Sequence, residues 1–154
     1  MHPRPLTLFR FFAVAEAITW TLLLLGMVLK YGSRTTDLGV RVFGMAHGVV
    51  FIAYCLVTLF VATNQRWSAK HLGLGLLAAI PPLATIAFDR MAERAGLLDG
   101  GWRLAPGGDR PATPPERAVA WSLARPGAAA LSFVVAVAVL TAVALLVGPP
   151  AASS

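Results

Sequence analysis

Residues 8–29 read LFRFFAVAEAITWTLLLLGMVL, and this stretch decides the class of the chain. It exceeds the about 20 apolar residues that a helix needs to cross a bilayer core. Hydrocarbon offers no water to a peptide group, so a spanning segment must satisfy its own N–H and C=O groups, as a helix does. Three more stretches of the same character follow at Val42–Ala62, Leu72–Phe88 and Gly127–Val147. The expectation is an all-α, polytopic membrane protein with four transmembrane helices: a three-helix core and an appended C-terminal helix.

Composition points the same way. Hydrophobic residues make up 57% of the 154 residues and charged residues 13%. Ordinary soluble domains carry about 25% charged residues, so this chain has too little polar surface to cover a soluble domain. The net charge of +6 raises the question of nucleic acid. However, the Lys and Arg residues lie at helix ends and in loops, where they meet anionic lipid headgroups, and no aromatic-basic patch accompanies them. The lipid bilayer is therefore the expected partner, and nucleic acid is not. The lone Cys55 reads as a small packing residue. The first stretch is too long for a cleaved signal peptide, carries Glu16, and lacks a small-residue cleavage site after its apolar run.

The expected organisation is a three-helix membrane domain over 1–94, a flexible Pro/Gly/Arg-rich loop over 95–126, a transmembrane helix over 127–147 and a short tail over 148–154. The loop region cannot bury enough apolar surface to fold alone. Orientation follows from basic residues. With four spans, Lys30, Arg34, Arg41, Arg90, Arg94, Arg103, Arg110, Arg117 and Arg125 share one side, against Arg4, Arg10, Arg66 and Lys70. That excess places both termini outside the plasma membrane.

Polar residues inside the apolar stretches are the candidate functional groups. Phe9, Glu16, Leu23 and Lys30 recur every seven residues and share a helix face. Glu16 lies about 12 Å deep at 1.5 Å per residue. An ionised carboxylate is costly there, so Glu16 is expected to face protein and to carry a proton at neutral pH. It serves either as a structural hydrogen bond between helices or in handling a proton or ligand. In the second stretch Gly44, His47, Gly48, Phe51 and Tyr54 fall on about a third of the helix circumference. Gly44 and Gly48 form a small-xxx-small pair suited to close helix packing, which would hold His47 in an interface. Pro81 and Pro82 remove backbone donors, free the carbonyls of Leu77 and Ala78, and kink the third helix. By depth, Glu16, Tyr54 and the Leu77 carbonyl form one polar layer, with His47 about 10 Å beyond it.

Cofactors are not expected. A b-type haem usually needs two axial ligands at similar depth, and His71 would lie about 20 Å from His47 by helical rise. His2 sits in the tail, and no Cys/His/carboxylate cluster has metal-binding spacing.

The order Arg10…Glu16, Met27-Val28-Leu29-Lys30-Tyr31, Gly44-x-x-His47-Gly48-x-x-Phe51-x-x-Tyr54, then Trp67, Pro81 and Phe88-Asp89 resembles a family of small bacterial membrane proteins. That family is known as a domain of unknown function with three predicted membrane helices. The resemblance covers about residues 6–94. Val28 stands where the family pattern has proline, and Pro82 where it often has glycine. The resemblance implies the membrane fold and draws attention to Glu16, Lys30 and His47, but it implies no activity.

The functional expectation is a non-enzymatic membrane protein that packs against itself as a homo-oligomer or joins a larger membrane complex. The alternative is a small oligomeric transporter or proton-coupled permease using Glu16 and His47. An enzyme is disfavoured by the lack of a nucleophile–base pair.

Overall fold

A computed structural model describes residues 4–32 and 37–147, and the described chain is helical, with no strand among these residues. Helix α1 spans Pro5–Met27 and continues as one π-helical turn, Val28–Gly32. Pro5 suits the first turn, where a backbone N–H would have no helical partner. Then follow α2, Leu38–Gln65; α3, Ala69–Leu77; α4, Ala84–Arg94; α5, Pro114–Ala124; and α6, Pro126–Val147. Three helices are long and apolar enough to cross a membrane: α1 with its π turn, α2 and α6. The expected tail over 148–154 and His2 lie outside the described residues.

The third apolar stretch differs from the single kinked helix expected of it. It is two short helices, α3 and α4, separated by Pro81 and Pro82. Two adjacent residues without N–H groups deny the helix consecutive hydrogen bonds. Leu83 then turns the chain with a left-handed backbone, φ 64°. The pair is antiparallel: a Cβ added at Gly75 would lie 3.1 Å from the Phe88 ring. At its far end α4 returns to the start of α1, where Arg10 pairs with Asp89 at 2.9 Å and with Glu93 at 2.6 Å. Trp67, just before α3, donates its indole N–H to the Leu97 carbonyl, just after α4. Both ends of this hairpin therefore lie at the same end of the bundle.

An aromatic cluster closes that end. Phe9 packs against Tyr54, Trp67 and Phe88 with ring centroids 5.7 to 5.9 Å apart. Phe9 is fully buried, on the face of α1 that carries Glu16, and so is Tyr54 on α2.

The segment expected as a flexible loop carries structure of its own. Leu98 and Leu104 are buried, and α5 opens with a capping box between Thr113 and Glu116. The physical reason lies at the end of α2, whose last carbonyls lack helical partners. Arg103 donates to the carbonyls of Thr63 and Asn64, and to the carboxylates of Asp109 and Glu116. The Asn64 side chain accepts from the Leu104 N–H. Local composition could not order this segment; the exposed end of α2 does. The Ala112 N–H and the Arg103 guanidinium hold the Glu116 carboxyl below the usual carboxylate range.

Small residues do bring α1 and α2 together, at a different place from Gly44 and Gly48. A Cβ on Gly26 would lie 2.9 Å from the Gly39 carbonyl carbon, whereas one on Gly44 meets only Leu23 at 3.7 Å and one on Gly48 meets nothing within 4 Å. The helices converge toward their connection, so their closest approach lies there. Helix α6 leans on α2 from outside, and its Phe133 lies edge-on to Phe12 of α1 at 5.8 Å.

Replacing Gly26 with Ala should lower the thermal midpoint of the detergent-solubilised protein. The clash should outweigh the up to about 1 kcal/mol that Ala gains over Gly in a helix. Gly48→Ala should leave the midpoint unchanged or raise it. Equal responses of the two variants would remove Gly26 from the helix contact.

Candidate intramembrane polar site

The hairpin tip creates the site. A proline break inside an apolar bundle strands carbonyl oxygens, and each must find a donor within the protein. The Ala79 N–H, which a continued helix would direct to Gly75, bonds Leu76 instead at 3.2 Å, and Ile80 bonds Leu77 at 3.1 Å. The chain thus tightens before the break, and the carbonyls capped by side chains are those of Gly75 and Ala79, not the expected Leu77 and Ala78. The Tyr54 hydroxyl donates to Gly75 at 2.9 Å, and the Trp20 indole N–H donates to Ala79 at 3.1 Å. One donor comes from α2 and the other from α1.

Glu16 sits beside this tip with no exposed surface. Its short hydrogen-bond contact is Thr85, the second residue of α4, at 3.0 Å from Oε2, and the Trp20 indole on its own helix also neighbours the carboxyl. The same Thr85 hydroxyl lies 2.9 Å from the Ala13 carbonyl. Oε1 of Glu16 and Oδ1 of Asp89 are buried without a hydrogen-bond partner. Of the layer expected by depth, Tyr54 is committed to Gly75, and the hydrogen-bond partner of Glu16 is Thr85.

His47 is linked to this layer through α1. Its Nδ1 lies 3.2 Å from the Thr19 hydroxyl, and Thr19 donates back to the Glu16 carbonyl. The imidazole ring packs against Trp20 with centroids 4.7 Å apart. Trp20 therefore joins His47 on one side to the hairpin tip on the other. Lys30 is not part of this arrangement. It lies in the π turn at the opposite end, 3.4 Å from Asp37 and beside the Tyr31 ring. Among the described residues no group of three His, Cys, Asp or Glu side chains could hold a metal ion; His71 bonds Ser68 at the start of α3.

Sequence reasoning missed Trp20, Thr19 and Thr85. Trp20 follows Glu16 by four residues and so shares its face, a signal that was available. A straight third helix would carry Thr85 past Glu16 to the level of His47. Only the reversal at Leu83 brings it back. The pairing of Arg10 with Asp89 depends on the same reversal.

Residues 6–94 match the family described as Domain of unknown function (DUF3817), and the chain belongs to that family. It is 48% identical over 96 residues to a Streptomyces coelicolor protein named as membrane protein SCO5905, which covers 62% of this chain but only 11% of that relative. It is 35% identical over 69 residues to the uncharacterised membrane protein YdzA of Bacillus subtilis, covering 45% of this chain and 71% of that relative. No solved structure matches it. The protein is a membrane protein of an uncharacterised family.

Tyr54→Phe should remove the donor to the Gly75 carbonyl while keeping the ring among Phe9 and Phe88. The expected cost is about 1 kcal/mol of folding stability, the scale of membrane hydrogen bonds. Reversible unfolding in mixed micelles measures it. A variant as stable as the wild type would show that the hydroxyl does not support the break.

Proposed function

We propose that this DUF3817 member is a non-enzymatic helical module that packs against a larger membrane assembly or a second copy of itself. The observation that carries this reading is the face between α2 and α6. A cavity of about 460 Å³ there is lined by Gly44, Met45, Gly48, Phe51, Thr141 and Leu145. Gly48 faces open space, and the Thr141 hydroxyl is buried without a partner. A membrane face with small residues and an unused hydroxyl suits close approach of another helix. The Streptomyces relative supports the same reading, since the matching region is 11% of a much longer membrane protein. Native mass spectrometry from nanodiscs should find an oligomer or a complex. Gly48→Leu, which fills the face, should weaken that association at least tenfold, about 1.4 kcal/mol. A strictly monomeric protein without a partner would overturn the proposal.

A second reading, an oligomeric proton-coupled permease using Glu16 and His47, is favoured by the buried carboxyl at the hairpin tip. Proteoliposome flux sensitive to Glu16→Gln would support it.

The hairpin also favours an orientation in the membrane different from the one expected for four spans. With both ends of the α3–α4 pair at one end of the bundle, that end gathers Arg4, Arg10, Arg66, Lys70, Arg90, Arg94, Arg103, Arg110, Arg117 and Arg125. Among the described residues the other end holds Lys30 and Arg41. Basic residues mark the cytoplasmic side. We therefore assign the start of α1 to the cytoplasm and the end of α6 to the outer face, in place of two outer termini. In a Cys55→Ala background, Gly32→Cys should react with an impermeant thiol reagent in intact cells, and Pro106→Cys should be protected. The reverse pattern would invert the orientation, and protection or labelling of both would sink the re-entrant hairpin.

A further inference from the structure

The hydrogen atoms around Glu16 do not balance for an ionised carboxylate. Thr85 Oγ1 lies 2.9 Å from the Ala13 carbonyl and 3.0 Å from Glu16 Oε2. A threonine hydroxyl has one proton to donate, and a carbonyl can only accept. If the Thr85 proton goes to Ala13, the contact with Glu16 needs a second proton, and only the carboxyl itself can supply it. A neutral Glu16 donating to Thr85, which donates to Ala13, satisfies both short contacts. An ionised Glu16 would be a fully buried anion whose two neighbouring donors, Thr85 and Trp20, are each already engaged by a carbonyl, Ala13 and Ala79.

The surroundings supply no countercharge. Among the described residues Glu16 takes part in no ion pair. From α2, Tyr54 and Cys55 are the titratable groups that sense the carboxyl's charge; neither is a cation, and the Tyr54 hydroxyl is committed to Gly75. His47 reaches Thr19 instead. From α4, Asp89 lies one turn beyond Thr85 and, with Glu93, neutralises Arg10 on α1. An uncompensated carboxylate in hydrocarbon is far more costly than the neutral acid.

We propose that Glu16 is a proton-binding site of the membrane interior, whose neutral carboxyl donates to Thr85 and thereby latches α4 of the hairpin onto α1. Loss of the proton leaves one hydroxyl hydrogen for two acceptors and opens the latch. The site is independent of whether the α2–α6 face binds a partner.

Infrared spectroscopy of the full chain in liposomes near neutral pH tests this. The wild type should absorb at the carbonyl stretch of a protonated carboxylic acid. That band should vanish in Glu16→Gln and be displaced in Thr85→Val, which keeps the shape but removes the hydroxyl. Should Glu16→Gln fail to fold, wild-type protein labelled with carbon-13 at glutamate carboxyls gives the same information. The only other glutamates, Glu93 and Glu116, are paired with arginines and do not absorb there. A band that moves with this label supports the proposal. Absence of the band, a band indifferent to the label, or one unmoved by Thr85→Val overturns it.

Discussion

Every carbonyl stranded inside the bundle must be met by a donor from the protein, and this constraint organises the three-helix core. Pro81 and Pro82 interrupt the third apolar stretch where no water can replace the lost bonds. Tyr54 from α2 and Trp20 from α1 cap the carbonyls of Gly75 and Ala79. The break is therefore more than a kink. It gives two flanking helices something to hold, and it lets the chain turn back on itself at Leu83.

Once the chain has turned back, the rest follows along the α1–α4 seam. Thr85 meets Glu16 and Ala13, and one turn further Asp89 meets Arg10. Polar residues that would be prohibitively costly against lipid are buried against one another. The aromatic cluster of Phe9, Tyr54, Trp67 and Phe88 seals the end where the hairpin enters. The buried acid lies deeper, within reach of His47 only through Thr19 and Trp20.

The region after α4 obeys a related rule at the membrane surface. The final turn of α2 presents carbonyls that no helix can satisfy. Arg103 meets them, and its remaining donors gather Asp109 and Glu116. A segment too polar and too rich in Pro and Gly to fold alone is ordered by the helix end it covers. The capping box of α5 then sets the direction in which the chain approaches α6.

Helical class, membrane residence and the buried side of α1 were legible in the residues, because hydropathy and a seven-residue repeat act locally. Glu16, His47, Tyr54 and the proline pair were visible for the same reason: polar or helix-breaking residues stand out within apolar stretches. Tertiary structure alone decided their partners. Residue depth set Glu16 and Tyr54 at one level, but the carboxyl's hydrogen-bond partner is Thr85, which the left-handed Leu83 brings back to it by reversing α4. The same reversal brings Asp89 to Arg10, and the Gly26–Gly39 contact, not Gly44 and Gly48, marks where α1 and α2 come closest. A hydropathy pattern records that a segment is apolar and where its helix breaks. It does not record the direction in which the chain leaves the break, because that depends on which stranded carbonyls the neighbouring helices can satisfy.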